Sequence, residues 1–211
     1  VKRLNANEAI YAEGMKVAWK YNCVGCHQID GARGDILKAF EDDLNAGPPR
    51  LVEEGHRVQS DWLFSFLANP TPIRPWVKVR MPTFNLSNAD KNAIVQMWQV
   101  GHKQLMYEDN SSELVWAPGE KEQAKKLFTN LNCTSCHTPG FSSAEALGPD
   151  LHKAGRRLRA SWIKKWLRDP QKILPGTTMP TFFNEDGTGI DSETFEGKAD
   201  PQIEALTKYV I

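Results

Sequence analysis

The feature that most constrains the fold of this chain is an internal duplication built around its cysteines. The 211 residues include four cysteines, which form two pairs of equal spacing, and a histidine follows each pair at once. The two segments read Cys23-Val24-Gly25-Cys26-His27 and Cys133-Thr134-Ser135-Cys136-His137. Other residue types recur in the same order in both halves: Gly47-Pro48 and Gly148-Pro149, Arg57 and Arg157, Trp62 and Trp162, Pro70 and Pro170, and Met81-Pro82-Thr83-Phe84 and Met179-Pro180-Thr181-Phe182. The pattern predicts two copies of one domain in tandem.

Each cysteine pair with its histidine has the C-x-x-C-H spacing of covalent haem attachment. Two thiols on one turn reach the vinyl groups at one edge of a porphyrin, and the next imidazole reaches the iron. A zinc site made of two C-x-x-C pairs usually separates them by about 15–20 residues, whereas these pairs are offset by 110 residues. A redox dithiol normally accompanies a βαβ pattern, and none is visible. The sequence therefore predicts two covalently bound haem c groups, with no thiol remaining for a disulfide.

Hydrophobic periodicity and helix breakers predict a few helices in each half. Alternation of β-branched residues is nearly absent, so we expect little or no sheet. The expected helices are 8–21 with Asn7 as its cap, Ser60–Ala68, Asn88–Val100, a helix opened by Pro118 and ending near Asn130, Ala160–Arg168, and Pro201–Val210.

With these elements in place, each half resembles a class I c-type cytochrome domain. In that family an N-terminal helix runs into C-x-x-C-H, followed by Gly-Pro, a middle helix, Met-Pro and a C-terminal helix. The resemblance implies an all-α fold of two tandem class I cytochrome c-like domains, each wrapped around one covalently bound haem. The implied domains are 1–104 and 105–211, with a linker at about 101–117. The run that ends in Met-Pro-Thr-Phe is similar to that of haem domains attached to bacterial respiratory complexes.

The resemblance also implies the iron ligands. His27 and His137 would be the proximal ligands, while Met81 and Met179 would bind the irons through their thioethers. In this family a backbone carbonyl at the Gly-Pro accepts a hydrogen bond from the proximal imidazole, which fixes its tautomer. The positions of that carbonyl and the candidate partners of the haem propionates are Pro48, Pro149, Arg57, Arg157, Trp62 and Trp162.

Several alternatives stay open from the residues themselves. Met179 is the only methionine after Met106, but a methionine is often a core filler, and the second haem is then left open or bound by His152. Met97 and Met106 compete with Met81 for the first iron. His56, His102 and His152 fit surface or hydrogen-bonded core positions. As alternatives to contact with the haem propionates, the two tryptophans also fit core positions and the two arginines also fit solvated surface charges.

Bulk properties exclude some classes of function. The formal net charge is zero, so charge gives no argument for binding nucleic acid. No run approaches the roughly 18 apolar residues of a membrane helix, and Val1-Lys2-Arg3 does not begin a signal peptide. We therefore expect membrane association only through a removed anchor or a partner complex.

Together these features predict an electron-transfer protein rather than an enzyme. Iron bound by both imidazole and thioether has no open site, which suits outer-sphere transfer. The expected partners are an upstream dehydrogenase or quinol-oxidising complex and a downstream oxidase, reductase or cytochrome. The family implies a periplasmic or extracytoplasmic location. Two alternatives remain: a subunit or excised domain of a membrane quinol-oxidising or oxidase complex, and a diheme peroxidase-type enzyme.

Overall fold

The structure, a computed structural model, describes residues 4–103, 107–137 and 147–211. The chain divides into two compact units. Unit 1 comprises Val1–Pro72 and Val77–Glu108, and unit 2 comprises Ile73–Trp76 and Asp109–Ile211. Within the described ranges the structure is helical and has no strand, only isolated bridges such as Phe183 with Gly189. The expected all-α fold is confirmed.

Unit 1 is built on two long helices that pack against each other. Its α-helices are α1 (Ala6–Lys20), α2 (Cys23–Cys26), α3 (Glu54–Arg57), α4 (Ser60–Ala68) and α5 (Asn88–His102), with 3₁₀ turns at Asp35–Phe40 and Leu44–Ala46. Asn5 caps α1 in a capping box with Glu8, so the helix begins earlier than the expected cap at Asn7.

Gly14 lies at a close approach of α1 and α5. A Cβ built on Gly14 would lie 2.3 Å from Met97 Cβ and 2.6 Å from the Ala93 carbonyl oxygen. Met97 is completely buried there, and Trp98 beside it is also buried. Gly14 therefore cannot carry a side chain without a shift, since any side chain would push the two backbones apart.

Unit 2 repeats this plan. Its α-helices are α6 (Glu120–Asn130), α7 (Ala154–Arg157), α8 (Ala160–Arg168), α9 (Pro170–Ile173) and α10 (Ala199–Val210), with 3₁₀ turns at Asn110–Leu114, Cys133–Ser135, Leu151–Lys153 and Phe195–Gly197. Its core cluster consists of Leu127, Phe183, Ala199, Ile203 and Leu206. Ala124, the counterpart of Gly14, is fully buried.

The middle helices α4 and α8 have the expected bounds, while α5 and α10 extend beyond them. Pro201 lies inside the first turn of α10, where a missing N–H costs no helical hydrogen bond. Among the described residues, no helix is long and apolar enough to span a bilayer.

Two linker residues, Glu108 and Asn110, form hydrogen bonds with residues distant in sequence. In unit 1, Gln59 Nε2 donates to the Glu108 carbonyl (2.8 Å) and the Glu108 N–H donates back to Gln59 Oε1 (3.1 Å). In unit 2, the Asn110 amide donates to the Gly155 carbonyl (3.1 Å) and accepts from the Ala160 N–H (3.1 Å). Side chains distant in sequence satisfy these backbone groups, which local composition does not reveal.

Candidate functional site

Each cysteine–histidine motif lies on a tight turn of its own. Each turn begins at an asparagine in the left-handed region, Asn22 (φ 54°) and Asn132 (φ 52°). The His27 N–H then donates to the Cys23 carbonyl at 2.8 Å, and the His137 N–H donates to the Cys133 carbonyl at 2.9 Å. Asparagine tolerates this conformation better than most residues. The turn thus holds two thiols and one imidazole in a fixed local arrangement.

The four cysteines lie in partly buried positions. Burial is the main cause that raises the pKa of Cys23, and it raises the pKa of Cys133 to about 11; the neighbouring cysteine of each pair adds to this. In the part of the chain that the structure describes, no group of three or more His, Cys, Asp or Glu side chains could hold a metal ion.

Each motif histidine has its Nδ1 against a backbone carbonyl. His27 Nδ1 lies 2.8 Å from the Pro49 oxygen, and His137 Nδ1 lies 2.8 Å from the Pro149 oxygen. A carbonyl oxygen only accepts, so Nδ1 carries the proton and Nε2 carries the lone pair. This is the tautomer that a metal-binding imidazole needs, and the carbonyl holds the ring orientation.

The acceptor in the first half is Pro49, one residue beyond the expected Pro48. The Gly-Pro match pairs Pro48 with Pro149, an offset of 101. The next three pairs are Arg57 with Arg157, Trp62 with Trp162 and Pro70 with Pro170. Their offset is 100, which pairs Pro49 with Pro149. The constant offset was the available sequence signal, and the repeated Gly-Pro dipeptide masked it. Pro48 itself is buried beside this carbonyl.

Gly148 forms part of the wall behind the second imidazole. A Cβ built on Gly148 would lie 2.8 Å from both Cε1 and Nδ1 of His137. The three atoms nearest to a Cβ built on Gly47 all belong to Phe40, the first of them at 2.9 Å. The second half therefore uses a glycine to let its backbone approach the histidine.

The two candidate distal methionines are both half-buried. Met179 has three polar neighbours: its Sδ accepts from Trp166 Nε1 (2.9 Å), its carbonyl accepts from Gln171 Nε2 (3.1 Å), and its N–H donates to Thr177 Oγ1 (3.4 Å). Of the competing methionines, Met97 is buried in the α1–α5 contact.

Met106 lies outside the described residues, so its placement adds nothing to the choice of ligand.

The other histidines have structural partners. His152 is exposed and lies 2.9 Å from Asp150, while the rings of His56 and His102 lie 5.1 Å apart. His102 also stacks on Trp98, at 5.7 Å between ring centroids.

The arginines and tryptophans expected at the propionates lie on and beside the middle helices. Arg57 forms an ion pair with the buried Glu54 at 3.3 Å. Arg157 ends α7 and is half-buried. Trp62 stacks on Phe66 with ring centroids 4.8 Å apart, and Trp162 stacks on Trp166 at 5.1 Å.

Sequence reasoning missed Trp166, the indole that reaches the methionine sulfur. Its spacing from Trp162 places both on the same face of α8, and the matching pair on α4 is Trp62 with Phe66. That helical spacing was visible in the sequence. The contact with a sulfur 13 residues further along the chain was not.

The family model described as Cytochrome c matches residues 11–96 and 122–210. A stretch of 101 residues is 32% identical to cytochrome c oxidase subunit 2 of Bacillus subtilis (strain 168) and covers 42% of this chain. The match spans a quarter (25%) of the length of that relative. No solved structure gave a significant match.

Proposed function

The chain belongs to the cytochrome c family, and on that premise we propose that it is a diheme electron carrier with one haem c in each unit. Cytochrome c domains bind haem covalently and transfer electrons through it. In this chain the attachment residues are Cys23 with Cys26 and Cys133 with Cys136. The family match falls in two segments, one around each motif, which supports a count of two haems.

The observation that carries the proposal is the pair of histidine–carbonyl hydrogen bonds at 2.8 Å. They place the lone pair of His27 and of His137 on Nε2 and hold each ring beside its cysteine turn. The residues present therefore fit a haem attached at the thiols and bound through the imidazole. When bound, the haem iron supplies reversible one-electron chemistry.

Met81 and Met179 complete the proposed ligand sets. Met-Pro-Thr-Phe recurs in both halves, whereas Met97 is taken up by the core of unit 1. A thioether opposite an imidazole raises the potential relative to two imidazoles and leaves no open coordination site. The chain is then a carrier and not an enzyme, although it can belong to an oxidoreductase complex.

We place this carrier in an extracytoplasmic respiratory chain, in bacteria the periplasmic side of the membrane. Its electrons would come from a dehydrogenase or quinol-oxidising complex and go to an oxidase, reductase or another cytochrome. The relative named as an oxidase subunit favours a second candidate, a haem-bearing part of a terminal oxidase. That candidate changes the partner and leaves the chemistry of the sites unchanged.

Haem content and ligand spectra of the holoprotein test the proposal. We expect two haems per chain and a thioether-to-ferric-iron absorption band from each. Met81→Ala and Met179→Ala should each remove half of that band, while Met97→Leu, a matched control in the core, should keep all of it. A single haem per chain, or a full band in either alanine variant, contradicts the proposal.

Peroxide separates the carrier from a diheme peroxidase. A six-coordinate site has no position for peroxide, so the pure holoprotein should show no appreciable turnover with peroxide and a reducing substrate. Appreciable turnover would overturn the assignment as a carrier.

A further inference from the structure

His102, the last residue of α5, has one ring nitrogen bonded to the backbone. Its Nδ1 lies 3.1 Å from the Trp98 carbonyl oxygen, and its ring stacks on the Trp98 ring at an interplanar angle of 11°. A carbonyl oxygen only accepts, so Nδ1 carries the proton and Nε2 carries the lone pair. A further proton taken up by His102 must therefore bind at Nε2.

The Nε2 atom of His102 faces the carboxylate of Asp30. The distance from Nε2 to Asp30 Oδ1 is 3.9 Å, which suits an ion pair but is too long for a hydrogen bond. The other oxygen of this carboxylate, Oδ2, accepts from the Tyr11 hydroxyl at 2.6 Å. Burial and this hydrogen bond raise the pKa of Tyr11 to about 12, so the hydroxyl remains a donor at neutral pH. Asp30 thus has one oxygen bonded to Tyr11 and one beside the nitrogen that can be protonated.

A tight turn fixes the position of Asp30. The Ile29 N–H donates to the Ala32 carbonyl at 3.1 Å, and the Ala32 N–H donates back to the Ile29 carbonyl at 2.8 Å. Asp30 lies inside this turn and follows His27 of the first haem motif by three residues. The carboxylate and the proximal histidine therefore belong to one short stretch of backbone.

A second imidazole, His56 on α3, lies beside His102. Their ring centroids are 5.1 Å apart, and the His102 side chain is only 14% exposed. The approach depends on Gly55, since a Cβ built there would lie 2.9 Å from His102 Nδ1. A proton on one ring disfavours a proton on the other, while Asp30 favours the proton on His102. Titratable side chains therefore surround His102 from α1 (Tyr11), from the turn (Asp30) and from α3 (His56), where Glu54 and Arg57 form an ion pair with each other.

The second unit does not repeat this cluster. In the repeat alignment Tyr11 falls on Lys121, and His56 falls on Arg156. Apart from His137 of the motif, the histidine of unit 2 is His152. Its side chain is 69% exposed, and its carboxylate partner is only two residues away. The buried histidine–aspartate pair is thus specific to the first unit.

We infer that His102 takes up a proton when the haem of the first unit is reduced. The inference rests on the proposed function, which places a haem c in unit 1. One electron enters from the upstream donor and one proton enters from solvent at Nε2, so the net charge of the unit is unchanged. Charge attraction makes the added electron favour the added proton, and Asp30 holds the imidazolium in an ion pair. By linkage, a proton on His102 favours reduction to the same extent.

The size of the unit sets the magnitude of this coupling. A domain of about 100 residues has a radius of gyration of about 13 Å. At that separation and an effective dielectric constant of about 20, two unit charges change an equilibrium constant by up to about tenfold. We therefore expect the equilibrium constant for reduction of the first haem to fall by about three- to tenfold as the pH rises from about 5 to about 8, where histidines ordinarily titrate. Tenfold is about 59 mV for a one-electron couple.

Potentiometric titration of the holoprotein at several pH values tests the inference. One of the two redox components should lose potential as the pH rises, and His102→Gln should abolish that dependence. His152→Gln is the matched control, because it removes a histidine that also lies beside an aspartate but on the surface of unit 2, and the dependence should persist in it. Asp30→Asn should move the pH-dependent range to lower pH, since the imidazolium loses its ion pair.

The inference is wrong, while the assignment as a carrier stands, if the dependence persists in His102→Gln or disappears in His152→Gln. Potentials that do not change with pH in the unaltered protein overturn it as well. If His102→Gln does not fold, the imidazole NMR resonances of the unaltered holoprotein decide. The affinity of His102 for a proton should be about three- to tenfold higher in the reduced protein than in the oxidised protein, and equal affinities overturn the inference. A purified protein without haem on Cys23 and Cys26 defeats the proposed function itself, and the inference with it.

Discussion

Replacing Gly148 with alanine should displace the His137 imidazole of the second haem site, and the clash distances in the structure give the size of the displacement. The new Cβ would lie 2.8 Å from Cε1 and Nδ1 of His137, where ordinary contact begins at 3.4 Å. The ring or the backbone must give way by 0.6 Å. The hydrogen bond from Nδ1 to the Pro149 carbonyl measures 2.8 Å. A displacement of that size along its axis stretches it to about 3.4 Å, beyond the normal range.

Two costs add in this variant. Overpacking a close-packed site costs about 1–3 kcal/mol, and losing the hydrogen bond costs about 0.5–1.5 kcal/mol. We therefore expect Gly148→Ala to lower the free energy of unfolding by about 1.5–4.5 kcal/mol. The imidazole also becomes less basic without its acceptor. The ferric state is then less favoured, and the potential of the second haem should rise.

The assay is denaturant unfolding of the holoprotein together with a redox titration. Gly47→Ala is the matched control, because its Cβ would meet the Phe40 ring at 2.9 Å and no imidazole. That variant should lose stability and leave both potentials in place. The reasoning is refuted if Gly148→Ala keeps full stability, or if Gly47→Ala moves a haem potential by as much.

Three further predictions concern stability. Burial raises the pKa of Asp191, but hydrogen bonds, the largest from Asn130, outweigh burial and lower the pKa below 3.8. Unit 2 should therefore lose stability as the pH falls below 3.8, and Asp191→Asn should reduce this acid-induced loss in unfolding curves. Burial and then the hydrogen bond to Asp30 raise the pKa of Tyr11 from 10.0 to about 12; stability should therefore fall as the pH rises from 10 towards 12, and Tyr11→Phe should abolish that slope in alkaline unfolding curves. Gly14→Ala should cost about 1–3 kcal/mol in urea unfolding through overpacking, although helix propensity alone predicts a gain of about 1 kcal/mol.

If one of these three predictions fails, the role assigned to the corresponding contact is wrong. An unchanged acid limb in Asp191→Asn would mean that its hydrogen bonds do not favour the charged form. A retained alkaline slope in Tyr11→Phe would assign that slope to another group. A more stable Gly14→Ala would show that α1 and α5 can separate at little cost.

Much of the fold could be predicted because its signals are local. The bounds of α4 and α8 follow from short amphipathic stretches that end before an X-Pro bond. The start of α1 was misplaced by two residues, because Asn5 and Asn7 are both good caps. Only the capping box with Glu8 distinguishes them.

The site was predictable in its covalent part and less so in its surroundings. C-x-x-C-H carries its own geometry, since attachment requires that spacing. The acceptor for the imidazole depends on the course of the chain, which is 22 residues from His27 to Pro49 and 12 residues from His137 to Pro149. Loops of such different length reach the same place only through tertiary packing, so the choice between Pro48 and Pro49 was not local.

The sequence by itself determined the duplication, the helical class and the two haem-attachment motifs, because each depends on residue spacing within one turn or one helix. Only the tertiary structure decided which carbonyl faces each imidazole, why Gly148 must be small, and which indole reaches the Met179 sulfur. Those contacts join residues on different elements. Close packing of side chains sets their distances to a few tenths of an ångström, and no pattern along the chain encodes that precision.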